Sequence, residues 1–349
     1  MIRPTIMLFA TLQVAGCGAQ TGGATPVEPQ GSRRASSPGL EVGAPGVVPT
    51  SAAAASGVGA TQAAASGAEG EEIIREFLRL DDEGVARTEL ERFLAEHPGL
   101  LSAEAPPYGR ALMWALEFEH AKAALVLIRA GAKVQRTSSR ESSPLHLAAR
   151  GGLDEVVREL LTRGASPQSD DYWGTPLHFA AANGHASTMR LLLKAGADPN
   201  AHAADHRYTP LHEALIDRHV EAVRVLIDAK ADLDARDDDG QTPLHWGGFA
   251  YRPQAVHLYR DLGAPHDTRF VDAGPAEAMK LLLEAGASIE ATDAEGNTPL
   301  HAAAQVGSRR GVEMLLAHGA RRSAKNHAGL TAADIAKRRG DDDIAKLLR

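Results

Sequence analysis

The chain has 349 residues, a formal net charge of -8 and aromatic residues at only 4% of its positions. The negative charge argues against general nucleic-acid binding, because neutralising phosphates requires a basic face that the sequence does not present. The one cysteine, Cys17, excludes an intramolecular disulfide bond and a four-cysteine metal site.

Residues 1–16 predict a short secretory signal peptide. Arg3 supplies a positive charge, and residues 6–14 form an apolar stretch that is too short to cross a bilayer. The string Val14-Ala15-Gly16-Cys17 resembles the lipobox of bacterial lipoproteins. The resemblance implies a mature chain that starts at Cys17 and carries a lipid on that thiol. The alternative is a cytosolic protein with an apolar start and a chance cysteine.

The residue after the cysteine directs membrane sorting in the lipoproteins that this string resembles. Gly18 occupies that position, and it is not the aspartate that retains such proteins in the inner membrane. The resemblance therefore implies a lipid anchor in the bacterial cell envelope. It favours the outer membrane, on its periplasmic or surface face.

Residues 17–70 are dominated by Gly, Ala, Ser, Pro and Thr. They carry few large apolar side chains whose burial could compensate for the entropy of ordering the chain. We therefore predict a disordered N-terminal tether. A flexible segment of this length has an end-to-end distance of about 40 Å, which is enough to hold a folded domain clear of a membrane surface.

Residues 71–108 predict a helical N-terminal cap. Two stretches, residues 71–80 and 83–96, have apolar side chains at helical spacing but do not match the repeat that follows. The first repeat begins at Arg110 and lacks a polar outer surface of its own. A preceding helix pair would cover its apolar face.

A four-residue string recurs in register through the rest of the chain, with a period of about 33 residues. The hydroxyl residue can cap the free amides of a following helix, and proline at the first helical position gives up an amide that has no partner there. Leucine then enters the core. The clear copies are Ser143-Pro144-Leu145-His146, Thr175-Pro176-Leu177-His178, Thr209-Pro210-Leu211-His212, Thr242-Pro243-Leu244-His245 and Thr298-Pro299-Leu300-His301, and degenerate copies begin at Arg110 and Thr331.

These strings, usually followed by alanines, resemble the signature of the ankyrin-repeat family. The resemblance covers residues 109–349 and implies an all-α solenoid of about eight stacked helix pairs with β-turn fingers. It also implies that the motif histidines are structural, because in the family they tie neighbouring turns together through hydrogen bonds. These histidines are His146, His178, His212, His245 and His301.

Glycines mark the ends of the second helices, where glycine adopts a left-handed conformation most easily. They are Gly131, Gly164, Gly196, Gly263, Gly286 and Gly319. Lys230 occupies the same position in one unit, so we expect a strained backbone there.

The glycines at 263 and 286 are closer together than the other stops. We interpret this spacing as one unit that is shortened near residues 264–286, because residues 255–262 predict a complete second helix. The alternative is an insertion of residues 251–273 inside the unit that starts at Thr242.

The sequence contains no glycine-rich phosphate loop, nucleophile elbow or metalloprotease motif. The motif histidines lie on separate stacked units, about 8 to 10 Å apart, which is too far for one zinc ion. His202, Asp205 and His206 form a local metal-binding candidate in one finger, with a solvated loop as the alternative. We therefore predict no catalytic residue, bound metal, cofactor or small-molecule substrate.

Stacked units of this kind expose an extended concave surface of first helices and fingers, which suits binding to another protein. The candidate contact residues are aromatic or acidic side chains of the fingers: Tyr172, Trp173, Tyr208, Trp246, Asp170, Asp171, Asp237, Asp238 and Asp239. The acidic residues indicate a partner with a basic patch. Alternatively, the aromatic rings pack against neighbouring fingers and the carboxylates only aid solubility.

The sequence therefore predicts a lipid-anchored, non-catalytic scaffold that holds another protein through its repeats. Two other hypotheses stay open. One is an inhibitor or immunity-type protein that blocks an enzyme or a toxin. The other is a metal-binding or enzymatic protein that uses the finger loops.

Overall fold

The computed structural model describes residues 67–102, 104–105, 109–135, 142–204, 206–247 and 275–349. The predicted signal peptide, Cys17 and residues 17–66 of the predicted tether lie outside the described residues. None of the described helices is long and apolar enough to span a membrane.

The described chain is helical, except for one antiparallel pair of two-residue strands, β1 (Glu104–Ala105) and β2 (Gly109–Arg110). It begins with α1 (Gly67–Asp82), α2 (Arg87–Glu96) and a 3-10 helix at Pro98–Leu101. The helices that follow are α3 (Ala111–Glu117), α4 (Ala121–Arg129), α5 (Pro144–Arg150), α6 (Asp154–Thr162), α7 (Pro176–Ala182), α8 (Ala186–Lys194), α9 (Pro210–Ile216), α10 (Val220–Asp228), α11 (Pro243–Gly247), α12 (Pro275–Glu284), α13 (Pro299–Val306), α14 (Arg309–Ala317), α15 (Ala332–Arg339) and α16 (Asp342–Leu347). The predicted all-α solenoid is confirmed.

From α3 onward the helices form stacked pairs. The first helix of each unit contacts the first helix of the next, as α5 contacts α7, and second helices do the same, as α6 contacts α8. In the five clear copies of the string, proline is the first residue of the first helix and follows the hydroxyl residue directly. The leucine of each string is at most 1% exposed, so the core runs through all the units: Leu145, Leu177, Leu211, Leu244 and Leu300.

The unit that starts at Thr242 is interrupted rather than shortened. Helix α12 contacts α11 as its partner, and it also contacts α10 and α14, the second helices of the two neighbouring units. The ring of His245 bonds to the carbonyl of Asn297, which is 52 residues further along the chain. The corresponding bonds in three other units span only 28, 30 and 29 residues.

The predicted deletion near residues 264–286 is therefore wrong, and these contacts support the alternative of an insertion inside the Thr242 unit. After α2, the described residues form seven stacked helix pairs instead of about eight. The error arises because residues 255–262 have the apolar spacing of a second helix that ends at Gly263. Those residues, and Gly263 itself, lie outside the described residues.

The pair formed by α1 and α2 packs against α3 and α4. Ile74 and Phe77 of α1 and Leu90 of α2 have no exposed surface. The Asp81 carboxylate accepts a 3.1 Å hydrogen bond from the amide of Ala123, in the first turn of α4. This pair therefore covers an apolar face of the α3–α4 unit that has no preceding repeat to cover it.

The ends of the second helices follow the predicted glycine pattern. Gly131, Gly164, Gly196, Gly286 and Gly319 all have positive φ angles, from 83° to 99°. Lys230 ends α10 in the same left-handed region, with φ of 62°. The predicted left-handed conformation of Lys230 is confirmed, and a Cβ in this conformation crowds the following carbonyl oxygen.

A second set of histidines, outside the repeated four-residue string, also joins the units. His185 and His219 precede α8 and α10, and their Nε2 atoms bond to the carbonyls of Arg150 and Ala182 in the preceding unit, at 2.9 and 3.0 Å. The ring of His219 packs against Gly184, where a Cβ would lie only 2.4 Å from Nδ1. His185 occupies the equivalent place over the glycine of the unit before.

We expect Gly184→Ala to destabilise the protein by about 1–3 kcal/mol more than Gly196→Ala. Both glycines have positive φ, but a Cβ at Gly196 would meet no atom within 4 Å. Both substitutions therefore carry the same backbone cost of a positive φ angle. The difference between their losses of unfolding free energy measures the collision of the new Cβ with His219. Urea denaturation of the two variants measures it, and equal losses would contradict a fixed position for the His219 ring.

Candidate functional site

Several of the fingers that precede the repeated strings are braced from inside by Asp or Asn side chains. Asp237 Oδ1 accepts hydrogen bonds from the amides of Asp239 and Gln241, at 3.0 and 2.8 Å. Asp293 and Asn326 bond to amides of their own fingers in the same way. These fingers are therefore closed turns whose shape does not depend on a partner.

Neighbouring fingertips are also joined through their main chains. The bonds run from the amide of Asp238 to the carbonyl of His206, from Ala294 to Asp239 and from His327 to Glu295, at 3.1, 2.9 and 3.0 Å. The four fingers from His206 to His327 thus form one continuous row. A partner that contacts this row meets a preorganised surface.

The finger around Asp171 carries the most exposed aromatic side chains. Asp171 is buried, where its carboxylate accepts bonds from the amide of Trp173 at 2.8 Å and from the hydroxyl of Ser142 at 2.6 Å. Tyr172 and Trp173 are 59% and 42% exposed, and their rings meet edge to face with centroids 5.0 Å apart. Asp170, next to them, is exposed.

Two of the predicted contact aromatics belong instead to an internal cluster. Trp246 is only 5% exposed, and its Nε1 donates to Asp237 Oδ2 at 2.9 Å. Its ring meets that of Tyr208 edge to face at 5.4 Å, and Tyr208, which is half-buried, stacks on His212. Burial raises the pKa of Asp237, and the hydrogen bonds from Trp246 and the finger amides oppose this.

The predicted partner-contact residues therefore fall into a buried group and an exposed group. Trp246, Asp171 and Asp237 are buried and hold the fingers in shape, so they do not present a side chain to a partner. The sequence alone does not distinguish a carboxylate that braces a finger from one on its tip, because the two lie one or two residues apart. The exposed members are Asp170, Tyr172, Trp173, Asp238 and Asp239.

Below the fingers, motif histidines connect four of the units to the units that follow them. In the Thr175 unit, Nδ1 of His178 accepts a 3.0 Å bond from the amide of Thr175, and Nε2 lies 3.0 Å from the carbonyl of Tyr208. Because an amide can only donate, Nδ1 carries no proton and Nε2 is the donor to the carbonyl. The rings of His146, His178, His245 and His301 all make this pair of contacts.

These rings are at most 1% exposed. Burial lowers the pKa of His178 to about 4 and that of His212 to about 3. Burial also lowers the pKa of His245 and His301, although their hydrogen bonds to carbonyl groups act in the opposite direction. The cause is desolvation of the imidazolium ion.

We expect the free energy of unfolding to decrease as the pH falls below 6.5. The unfolded chain takes up protons near the ordinary histidine pKa of 6.5, whereas folded His178 stays neutral until about 4. The free energy of unfolding therefore decreases between pH 6.5 and about pH 4, and His178 alone accounts for about 3 kcal/mol of this loss. Urea denaturation at a series of pH values measures the loss, and an NMR titration of the His178 ring with a midpoint near 6.5 would contradict it.

The candidate metal cluster gains no support among the described residues, where no group of three His, Cys, Asp or Glu side chains is arranged to hold a metal ion. Nδ1 of His202 bonds to the carbonyl of Arg207 at 2.8 Å, within its own finger. Asp205 lies outside the described residues.

Comparison with protein families matches most of the repeat region. A model described as "Ankyrin repeats (3 copies)" matches residues 112–203 and 270–349, and one described as "Ankyrin repeats (many copies)" matches residues 211–250. Together these matches cover more than half of the chain. The chain therefore belongs to the ankyrin-repeat family.

Curated relatives match the chain over part of their length. It is 30% identical over 218 residues to the "B-cell lymphoma 3 protein homolog" of Mus musculus, covering 62% of this chain and 37% of that protein. It is 31% identical over 232 residues to "Inversin" of Homo sapiens, covering 66% of this chain and 20% of that protein. The chain thus spans well under half the length of these relatives.

Among solved structures, the "Crystal structure of human ASB11 ankyrin repeat domain" is similar to this one with a TM-score of 0.56 and 26% sequence identity. The match covers 68% of this chain and 97% of that domain. Ankyrin repeats indicate a protein–protein interaction scaffold, and proteins of this family are typically non-catalytic.

Proposed function

We propose that this protein is a lipid-anchored, non-catalytic scaffold whose fingers bind a protein with a basic surface. The observation that supports this most directly is the exposed pair Tyr172 and Trp173 on an internally braced finger. Large aromatic side chains are frequent anchors of protein interfaces, because they bury much area while losing little conformational entropy.

The surroundings of the aromatic pair favour this role. Only three large apolar side chains of the described residues are exposed, and two of them are these neighbours. Their finger is held by the buried Asp171, so a partner does not have to order it. The exposed carboxylates of Asp170, Asp238 and Asp239 supply the negative charge that suits a basic partner.

We expect Tyr172→Ala and Trp173→Ala to weaken capture of the partner from an envelope extract by about tenfold or more, the effect of losing an interface anchor. Phe118→Ala is the matched control, because Phe118 is the third exposed large apolar side chain, at 48%, and lies outside the fingers. Quantitative pull-down with the wild-type chain and each variant measures the effect. Equal loss in all three variants, or in none, would argue against this site.

The captured protein also decides between scaffold and inhibitor. A structural protein of the envelope supports the scaffold, whereas a hydrolase or toxin whose activity falls on binding supports the inhibitor hypothesis. Turnover by the pure protein would contradict both. High salt should weaken the complex, because the proposed attraction is partly between exposed charges.

The proposed anchor is the thiol of Cys17, at the end of the lipobox-like string of residues 14–17. In this proposal residues 17–66 are the tether between the lipid and the helices, the first of which begins at Gly67. The membrane favoured by Gly18 is the outer membrane, on its periplasmic or surface face.

We expect Cys17→Ser to abolish labelling of the protein by a fatty-acid probe and to move it from the membrane fraction to the soluble fraction. Cys17 is the one cysteine of the chain, so no other thiol can accept the lipid. Phe118→Ala, which leaves the string intact, should label as the wild type does. Persistent labelling of Cys17→Ser would refute the anchor.

A further inference from the structure

Backbone strain is concentrated in one unit of the stack, the Thr209 unit, which comprises residues 203–231. Five non-glycine residues of the described chain have positive φ angles, and four of them, His206, Arg207, Arg218 and Lys230, belong to this unit. Their φ angles lie between 55° and 62°, in the left-handed region that side chains with a Cβ rarely adopt.

Each of the three turns of the Thr209 unit has a side chain where other units have glycine. In the finger, Arg207 precedes Thr209 by two residues, and the equivalent residues are Gly240, Gly296 and Gly329. Between the two helices, Arg218 replaces the glycine found at Gly152, Gly184, Gly307 and Gly340. At the end of the second helix, Lys230 replaces the glycine described above.

The hydrogen bond from the Thr209 unit to the next unit is also defective. The Nε2 atom of His212 is buried and has no partner at normal hydrogen-bond geometry. The carbonyl of Gln241 takes the place of the carbonyl that accepts this bond in the other units. It raises the pKa of His212, but burial lowers that pKa by more. A buried donor that makes no good bond destabilises the contact on which the stack depends.

We propose that the Thr209 unit is the weakest internal unit of the solenoid and opens before the units on either side. In a repeat protein each unit contacts only its neighbours, so strain within one unit is not shared by the whole stack. Opening there divides the chain into an N-terminal arm, α1–α8, and a C-terminal arm, α11–α16. It also exposes Tyr208 and Trp246, which are packed together in the closed state.

This weak point is independent of the proposed function, because its cause lies inside the chain and needs no partner. Native-state hydrogen exchange of the full chain, followed by mass spectrometry, measures local opening directly. We expect the amides of α9 and α10 to exchange faster than those of α5 to α8, which belong to the two preceding units.

The decisive variant is the double substitution Arg218→Gly with Lys230→Gly, which relieves strain at two turns. We expect it to slow exchange in α9 and α10 by roughly tenfold. Glu119→Gly is the matched control, because Glu119 has a φ of 61° at the turn equivalent to Arg218 but lies in the α3–α4 unit. It should leave exchange in α9 and α10 unchanged.

Two results would overturn the proposal. One is exchange in α9 and α10 that is as slow as in α7 and α8. The other is equal slowing by the double variant and by Glu119→Gly, which would mean that the whole domain opens as one unit. Thermal unfolding of the same variants confirms that each is folded before the exchange experiment.

Discussion

In four units of this solenoid, a neutral, buried imidazole joins the unit to the one that follows. Its Nδ1 accepts the amide of the capping residue and its Nε2 donates to a carbonyl of the following unit, so one side chain fixes both a helix start and an interface. Protonation would place a hydrogen on Nδ1 and remove the first bond. The stack therefore requires these rings to stay neutral and shielded from water. The thin core of leucine and alanine side chains provides that shielding.

Within each of these fingers, the residues that hold the turn in shape lie only one or two positions from the residues that are exposed to a partner. Carboxylates such as Asp171 and Asp237 turn inward and satisfy the amides of their own turn, while Tyr172, Trp173 and Asp238 remain at the surface. The tips can therefore change identity without altering the turns that carry them. Because function in such a scaffold depends on these tips, the fold specifies where a partner binds but not which one.

Much of this architecture could be predicted from the sequence, because the repeated string and the glycine stops are local requirements of backbone geometry. The left-handed conformation of Lys230 follows from the same glycine pattern. The number of units could not be predicted, since it depends on which helices contact each other across the interruption after α11. Burial of Trp246 and Asp237 depends on a contact between them that no periodicity encodes. His185 and His219 recur before second helices, a pattern visible in the sequence but outside the four-residue string.

Across the interruption of the Thr242 unit, two helices that are far apart in sequence are in contact. Helix α11 ends at Gly247 and α12 begins at Pro275. Helices α11 and α12 contact each other and their neighbours as the pairs joined by three-residue turns do. These contacts do not depend on how many residues lie between the two helices. Register in the solenoid is therefore set by contacts between helices and not by the length of chain that connects them.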